Sequence, residues 1–127
     1  MGNRAVLALG SNIAPRKNMA LAVKLLKSKF KLLAESRSIR TKPIGFRSQP
    51  DFINKMLCIE TMLTLRQLKT SLKNIEKELG RKPSTFRFGP RVIDIDITIW
   101  NETIVDKDFY DRKFLRQLTQ EILGRLR

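Results

Sequence analysis

The sequence predicts an α+β fold of βαββαβ order, the ferredoxin-like sandwich in which helices pack on an antiparallel sheet. Short apolar runs bounded by turn residues, two amphipathic stretches between them, and one strand of strict alternation carry that prediction. The chain has 127 residues, 42% of them hydrophobic. That suffices for one modest core, so a single domain over residues 1–127 is expected.

Arg4 to Gly10 is a short apolar run ending at Gly10-Ser11-Asn12, a strand entering a turn. Pro15 suits a first helical position, and Met19, Ala22, Val23, Leu25 and Leu26 form a helical stripe behind it. Lys17, Lys24, Lys27 and Lys31 make a solvated face. Lys31 to Thr41 is expected as a second strand, the stretch from Lys42 to Pro50 as a loop, and Phe52 to Leu63 as a third strand. Thr64 reads as an N-cap, Leu65, Leu68, Leu72, Ile75 and Leu79 recur at helical spacing, and Gly80 ends that helix. Arg81 to Pro90 is a loop, Arg91 to Trp100 the clearest strand, and Asp108 to Leu126 a final helix with Phe114, Leu115, Leu118, Ile122 and Leu126 inward.

Composition removes many chemistries. Histidine is absent, which excludes Ser-His-Asp and Cys-His catalysis and His-ligated metals. One cysteine, Cys58, cannot form an internal disulfide and suits a reducing cytoplasm. No apolar run approaches the roughly 20 residues of a membrane span, so no integral membrane association is expected. The net charge is +14, with twelve bases against two acids in residues 1–59. Anionic partners follow, whether nucleic acid, a membrane surface or a small polyphosphate.

The last strand narrows the choice. In Val92-Ile93-Asp94-Ile95-Asp96-Ile97-Thr98-Ile99-Trp100, alternation puts Ile93, Ile95, Ile97 and Ile99 on one face and Asp94, Asp96, Thr98 and Trp100 on the other. A polar outer face accounts for one such aspartate. Two on adjacent same-face positions repel, and aspartate is depleted in strands. A hard divalent cation removes that cost, and paired carboxylates suit Mg²⁺. Arg81, Lys82, Arg87 and Arg91 bracket the strand's start, so cations and carboxylates meet where a polyphosphate could be held. No Walker loop occurs.

At these residues the chain resembles a known family. Leu9-Gly10-Ser11-Asn12-Ile13, Arg40-Thr41-Lys42-Pro43-Ile44-Gly45, Gln49-Pro50-Asp51-Phe52-Ile53-Asn54 and Arg87-Phe88-Gly89-Pro90-Arg91-Val92-Ile93-Asp94-Ile95-Asp96-Ile97 occur in order. Together they resemble hydroxymethyldihydropterin pyrophosphokinase over about Ala5 to Ile104, and the last motif is highly specific. The resemblance implies an enzyme that transfers pyrophosphate from ATP to 6-hydroxymethyl-7,8-dihydropterin in folate biosynthesis, as a cytoplasmic monomer with small-molecule substrates and no nucleic-acid partner. It implies that Asp94 and Asp96 bind two Mg²⁺ ions and that Arg81 and Arg91 face the transferred group. It sets Glu76, Arg81, Arg87, Arg91, Ile97, Tyr110 and Arg112 against ATP. Gly10, Ser11, Asn12, Thr41, Pro43, Ile44, Phe52, Asn54 and Phe114 fall in the pterin pocket, with Phe52 stacking on the heterocycle and Asn54 hydrogen-bonding it.

After Trp100 the resemblance weakens, and Phe109 falls where the family has a nucleotide-contacting histidine. A catalytically weak pterin- or nucleotide-binding relative is therefore an alternative. A basic ferredoxin-like RNA-binding module is another, disfavoured because Asp94 and Asp96 stand where RNA readers present aromatics.

Overall fold

A computed structural model describes residues 2–45, 47–81 and 90–126. The element order is β1 (Asn3–Ser11), α1 (Pro15–Lys29), β2 (Lys31–Glu35), β3 (Ile39–Thr41), β4 (Phe52–Thr61), α2 (Leu65–Glu78), β5 (Asp94–Trp100), β6 (Thr103–Ile104) and α3 (Lys113–Arg125). The strands form one antiparallel sheet in the order β2-β4-β1-β5-β6, with β3 also paired to β4. This is the predicted α+β sandwich.

Period-two alternation on β1 divides the core in two. Ala5, Leu7 and Leu9 face α1 and α2, meeting Met19, Ala22, Val23 and Leu26 from the first and Leu68, Leu72 and Ile75 from the second. Val6 faces the other way, with Met56 and Cys58 from β4, against Leu115, Leu118 and Ile122 of α3. Both expected helical stripes thus cover one face, and the last helix covers part of the opposite one.

Local signals set the helix ends. Pro15 opens α1. The Thr64 side chain accepts from the Gln67 N–H while Gln67 returns the bond to the Thr64 N–H, a reciprocal capping box. Gly80, at φ 97°, takes the left-handed turn that a side chain would resist.

Three expectations need correction. The single strand over Lys31 to Thr41 is two. Buried Ser36 interrupts it, its N–H donating to the Met56 carbonyl and its hydroxyl accepting from the Met56 N–H. The alternation of the last strand also breaks: Leu7 pairs Ile97 but Val6 pairs Ile99, so Thr98 is an extra residue in the ladder. Buried Thr98 donates its hydroxyl to the Val6 carbonyl. Beyond this bulge the faces exchange, leaving Ile99 on the α3 side and Trp100 on the α1–α2 side. Finally, the last helix starts at Lys113, because Asp106 ties down the Asp108 N–H in a turn before it.

Candidate active site

α3 covers only part of its face of the sheet, and the uncovered part is polar. Register explains the arrangement. Gly10 on central β1 lies opposite Asn54 on one side and Asp94 on the other, and Ala8 lies opposite Met56 and Asp96. The two small residues keep the floor low between taller walls, enclosing a cavity of about 230 Å³. A methyl group added at Gly10 would come within 3.2 Å of Asn54 Oδ1, so a side chain here would crowd the cavity.

One wall consists of Thr41, Lys42, Ile44, Phe52 and Asn54. Asn54 is buried, and its Nδ2 donates to Thr41 Oγ1 at 2.6 Å. That bond fixes the amide and leaves Oδ1 as an acceptor toward Gly10. The facing wall carries Arg91, Asp94, Asp96, Asp106, Asp108 and Arg112, and Phe114 and Leu115 close one side from α3.

Burial and crowded carboxylates set the electrostatics of the second wall. Withdrawal from water pushes the Asp96 carboxyl up to about 8, and the charges of Asp94 and Asp106 add to the rise. Solvent reaches Asp96 through the cavity mouth, but surrounding protein denies its carboxyl full hydration. Behind this pair, Arg81 Nη1 donates to Asp94 Oδ1 at 2.8 Å and to Glu76 Oε2 at 2.6 Å. The same Glu76 oxygen accepts the Ile95 N–H at 2.8 Å. Burial raises the Glu76 carboxyl, against the pull of the Ile95 N–H and Arg81. Arg81 is therefore not the solvated helix-end cation that its position allows.

Asn12 connects the two walls. Its Oδ1 accepts from the Arg91 N–H at 2.8 Å, its own N–H donates to the Arg91 carbonyl, and its Nδ2 donates to Gln49 Oε1 and the Pro50 carbonyl. The chain before β4 and the chain before β5 are held by one buried amide.

The cavity thus gathers Gly10, Thr41, Ile44, Phe52, Asn54, Arg91, Asp94, Asp96, Arg112 and Phe114 from the expected set. Ser11, Asn12, Glu76 and Pro43 are buried outside its lining, and Arg81 stands behind Asp94. The Ile97 side chain lies in the α1–α2 core, which leaves only its backbone toward this face. Tyr110 is 70% exposed and outside the lining. Arg87, with Lys82, lies outside the described residues. Asp106 and Asp108 were not anticipated. Their spacing of two residues was a weak signal, since they sit on a turn that brings them back to β5.

Phe109 also departs from expectation. It is buried at 6% exposure in the α3-side core, edge-to-face with Tyr110, and does not aim at the cavity. Phe109→His should therefore not supply a nucleotide contact. It should destabilise the fold by roughly 2–4 kcal/mol, by loss of apolar burial and confinement of a polar ring. Urea unfolding should show a lower midpoint, with nucleotide affinity unchanged in the folded fraction.

Comparison with known proteins gives this geometry a lineage. Residues 6–124 match the family model of 7,8-dihydro-6-hydroxymethylpterin-pyrophosphokinase. The 2-amino-4-hydroxy-6-hydroxymethyldihydropteridine pyrophosphokinase of Aquifex aeolicus is 36% identical over 100 residues, covering 78% of this chain and 62% of that protein. The Haemophilus influenzae protein of the same name is 33% identical over 122 residues, 87% of this chain and 76% of its own length. A folate synthesis bifunctional protein of Arabidopsis thaliana is 32% identical over an alignment of 129 positions that covers 94% of this chain and 27% of that protein. The chain thus spans less than two thirds of the Aquifex protein and about a quarter of the plant one. With residues 6–124 of its 127 matched by the family model, the chain belongs to the 7,8-dihydro-6-hydroxymethylpterin-pyrophosphokinase family.

Proposed function

We propose that this protein transfers the pyrophosphoryl group of ATP to 6-hydroxymethyl-7,8-dihydropterin, releasing AMP. The observation that carries the reading is the division of one cavity: Phe52, Asn54 and Thr41 on one wall, Asp94 and Asp96 on the other, with Gly10 between. An aromatic face and a fixed amide suit a flat heterocycle, and paired carboxylates suit a metal-bound polyphosphate. ATP use is a property of the family. Mg²⁺, as two ions, belongs to the proposal.

The donor set fits such ions. Asp94 and Asp96 offer hard oxygens, burial and then the Asp94 charge raise the Asp96 carboxyl, and a guanidinium holds Asp94. Bound at these carboxylates, Mg²⁺ would neutralise charge on the phosphate chain. The protein's own groups do the rest. Asn54 Oδ1 accepts from the heterocycle while Phe52 stacks on it, fixing the direction of the substrate hydroxyl. That oxygen attacks the β-phosphorus in line, the bond from β-phosphorus to the bridging α-phosphate oxygen breaks, AMP departs, and the hydroxyl proton passes to solvent. Arg91 spreads charge from the transferred group, and Arg81 with Glu76 keeps the carboxylate end of β5 in place.

A turnover assay with ATP, Mg²⁺ and the hydroxymethyl pterin, reading AMP, tests the proposal. Chelator-sensitive AMP release that requires the pterin is expected. Binding without turnover would favour the catalytically weak relative. Monomeric, cytoplasmic action on small molecules without nucleic acid is part of the same proposal; the free, buried thiol of Cys58 supports its cytoplasmic part. Among the described residues, no helix is long and apolar enough to cross a membrane.

Two expected outcomes arise here. Phe52→Ala should weaken pterin binding by roughly 1–3 kcal/mol, as base-on-aromatic stacking does, with little change for nucleotide. Calorimetric titration of each ligand separates that result from general damage, which would weaken both. The second concerns Asp96. Its unfolded carboxyl ionises near 3.8 and its folded one at about 8, so the folded state holds this proton more tightly. The stability contributed by the protonated group is complete below 3.8 and is lost as pH rises through about 8. Mg²⁺ requires the ionised form, so its affinity should climb across that window. Thermal melts against pH should slope downward without Mg²⁺ and flatten when it saturates or when Asp96 is Asn.

A further inference from the structure

The reverse side of β4 carries a second cleft. Asn54 faces the active cavity, whereas Ile53 and Lys55 face α1. Because β2 ends at Glu35 and β3 begins only at Ile39, that stretch of β4 and α1 border an open cleft of about 710 Å³. Its size lies within the range of about 300–1,000 Å³ usual for small-molecule sites.

The helix side of this cleft is one stripe of α1. Arg16, Met19, Ala20, Val23, Lys24 and Lys27 recur at spacings of three and four residues. Met19 and Val23, with Ile53 opposite, give an apolar surface. Lys24 and Lys27 lie toward the C-terminal end of the stripe, where Lys55 and Lys27 share a single carboxylate: Glu35 is 2.5 Å from Lys55 Nζ and 3.4 Å from Lys27 Nζ. Lys24 and Arg16 make no ion pair among the described residues. Four cations stand against one acid, on a helix with five cations and no acid of its own. An anion is attracted to such a cleft, and an apolar body is needed to cover its floor.

We propose that this cleft is a second ligand site, taking a small aromatic phosphate whose ring lies on Met19, Val23 and Ile53 and whose phosphate meets Lys24, Lys27 and Lys55. It is separated from the active cavity by the thickness of the sheet and uses none of the same side chains. Among the described residues no carboxylate holds Lys24, while Glu35 pairs with both Lys55 and Lys27. The phosphate is the specific element, since each hydrogen bond between charged partners is worth about tenfold or more in affinity.

The test uses 1-naphthyl phosphate as probe, with 1-naphthol and inorganic phosphate as its uncharged and ringless controls, titrated into ¹⁵N-labelled full chain. Saturable shifts of the Ala20, Lys24, Ser38, Ile53 and Lys55 amides are expected, with each control binding about tenfold or more weakly. Lys24→Glu should weaken the probe about tenfold or more. Ala20→Trp, which fills the cleft from an exposed position, should abolish it. Both variants should release AMP from ATP like the parent if the pyrophosphokinase reading holds. Their unchanged amide spectra elsewhere show the fold to be intact even if that reading fails. Shifts confined to Gly10, Thr41, Asn54 and Asp94, equal affinity for naphthol, or undiminished binding by both variants would overturn the proposal.

Discussion

Asp94→Asn and Asp96→Asn are each expected to lower turnover by about 10²–10³-fold, the usual cost of removing one charge-stabilising anchor from a transition state. Either substitution keeps the side-chain volume, and neither residue belongs to the apolar core, so both variants should remain cooperatively folded. The two should differ in stability without metal. Asp96→Asn removes a carboxyl whose ionisation is opposed by burial and by Asp94, so its melting temperature should rise above the parent's near pH 8. Asp94→Asn weakens the ion pair with Arg81 and should give no comparable gain. Steady-state AMP release and thermal melts on the same preparations decide the matter. Near-normal turnover in either variant would refute the carboxylate assignment, and equal stability effects would refute the repulsion between the pair.

The aspartate pair was legible because a strand has a period of two and aspartate is out of place in one. The same rule failed two residues past Asp96. Nothing in Ile97-Thr98-Ile99 announces a bulge, which arises because Val6 and Leu7 offer two partners to three residues of β5. The split at Ser36 was hidden for a similar reason, since its hydroxyl replaces a ladder bond to Met56 and a polar residue in a strand is not by itself a break. Asn12 shows the limit for side chains. Its place beside a glycine turn was readable, but its bonds to Gln49, Pro50 and Arg91 span 37 to 79 residues of sequence. Phe109 shows the converse: the resemblance sets it at a histidine position of the family, and only the packing against α3 reveals that its ring belongs to the core.

Glu76 is where long-range placement should matter most to stability. The resemblance sets it against the nucleotide, yet its carboxylate bonds the Ile95 N–H and the Arg81 guanidinium and does not line the cavity. Glu76→Ala would leave the buried Ile95 N–H without its acceptor, at about 1–3 kcal/mol. It would also strip Arg81 of one of two carboxylates. Breaking a wholly buried pair costs about 3–5 kcal/mol, but Arg81 remains 29% exposed and keeps Asp94, so the smaller part of that applies. A total loss of about 2–4 kcal/mol is expected from urea unfolding. Glu76→Gln restores an acceptor for Ile95 in nearly the same shape and should recover more than half of it. Turnover should follow the same ranking, because β5 displaced at Ile95 carries Asp94 and Asp96 with it. If Glu76→Ala unfolds like the parent while losing only nucleotide affinity, Glu76 touches the nucleotide directly and its bond to Ile95 is incidental.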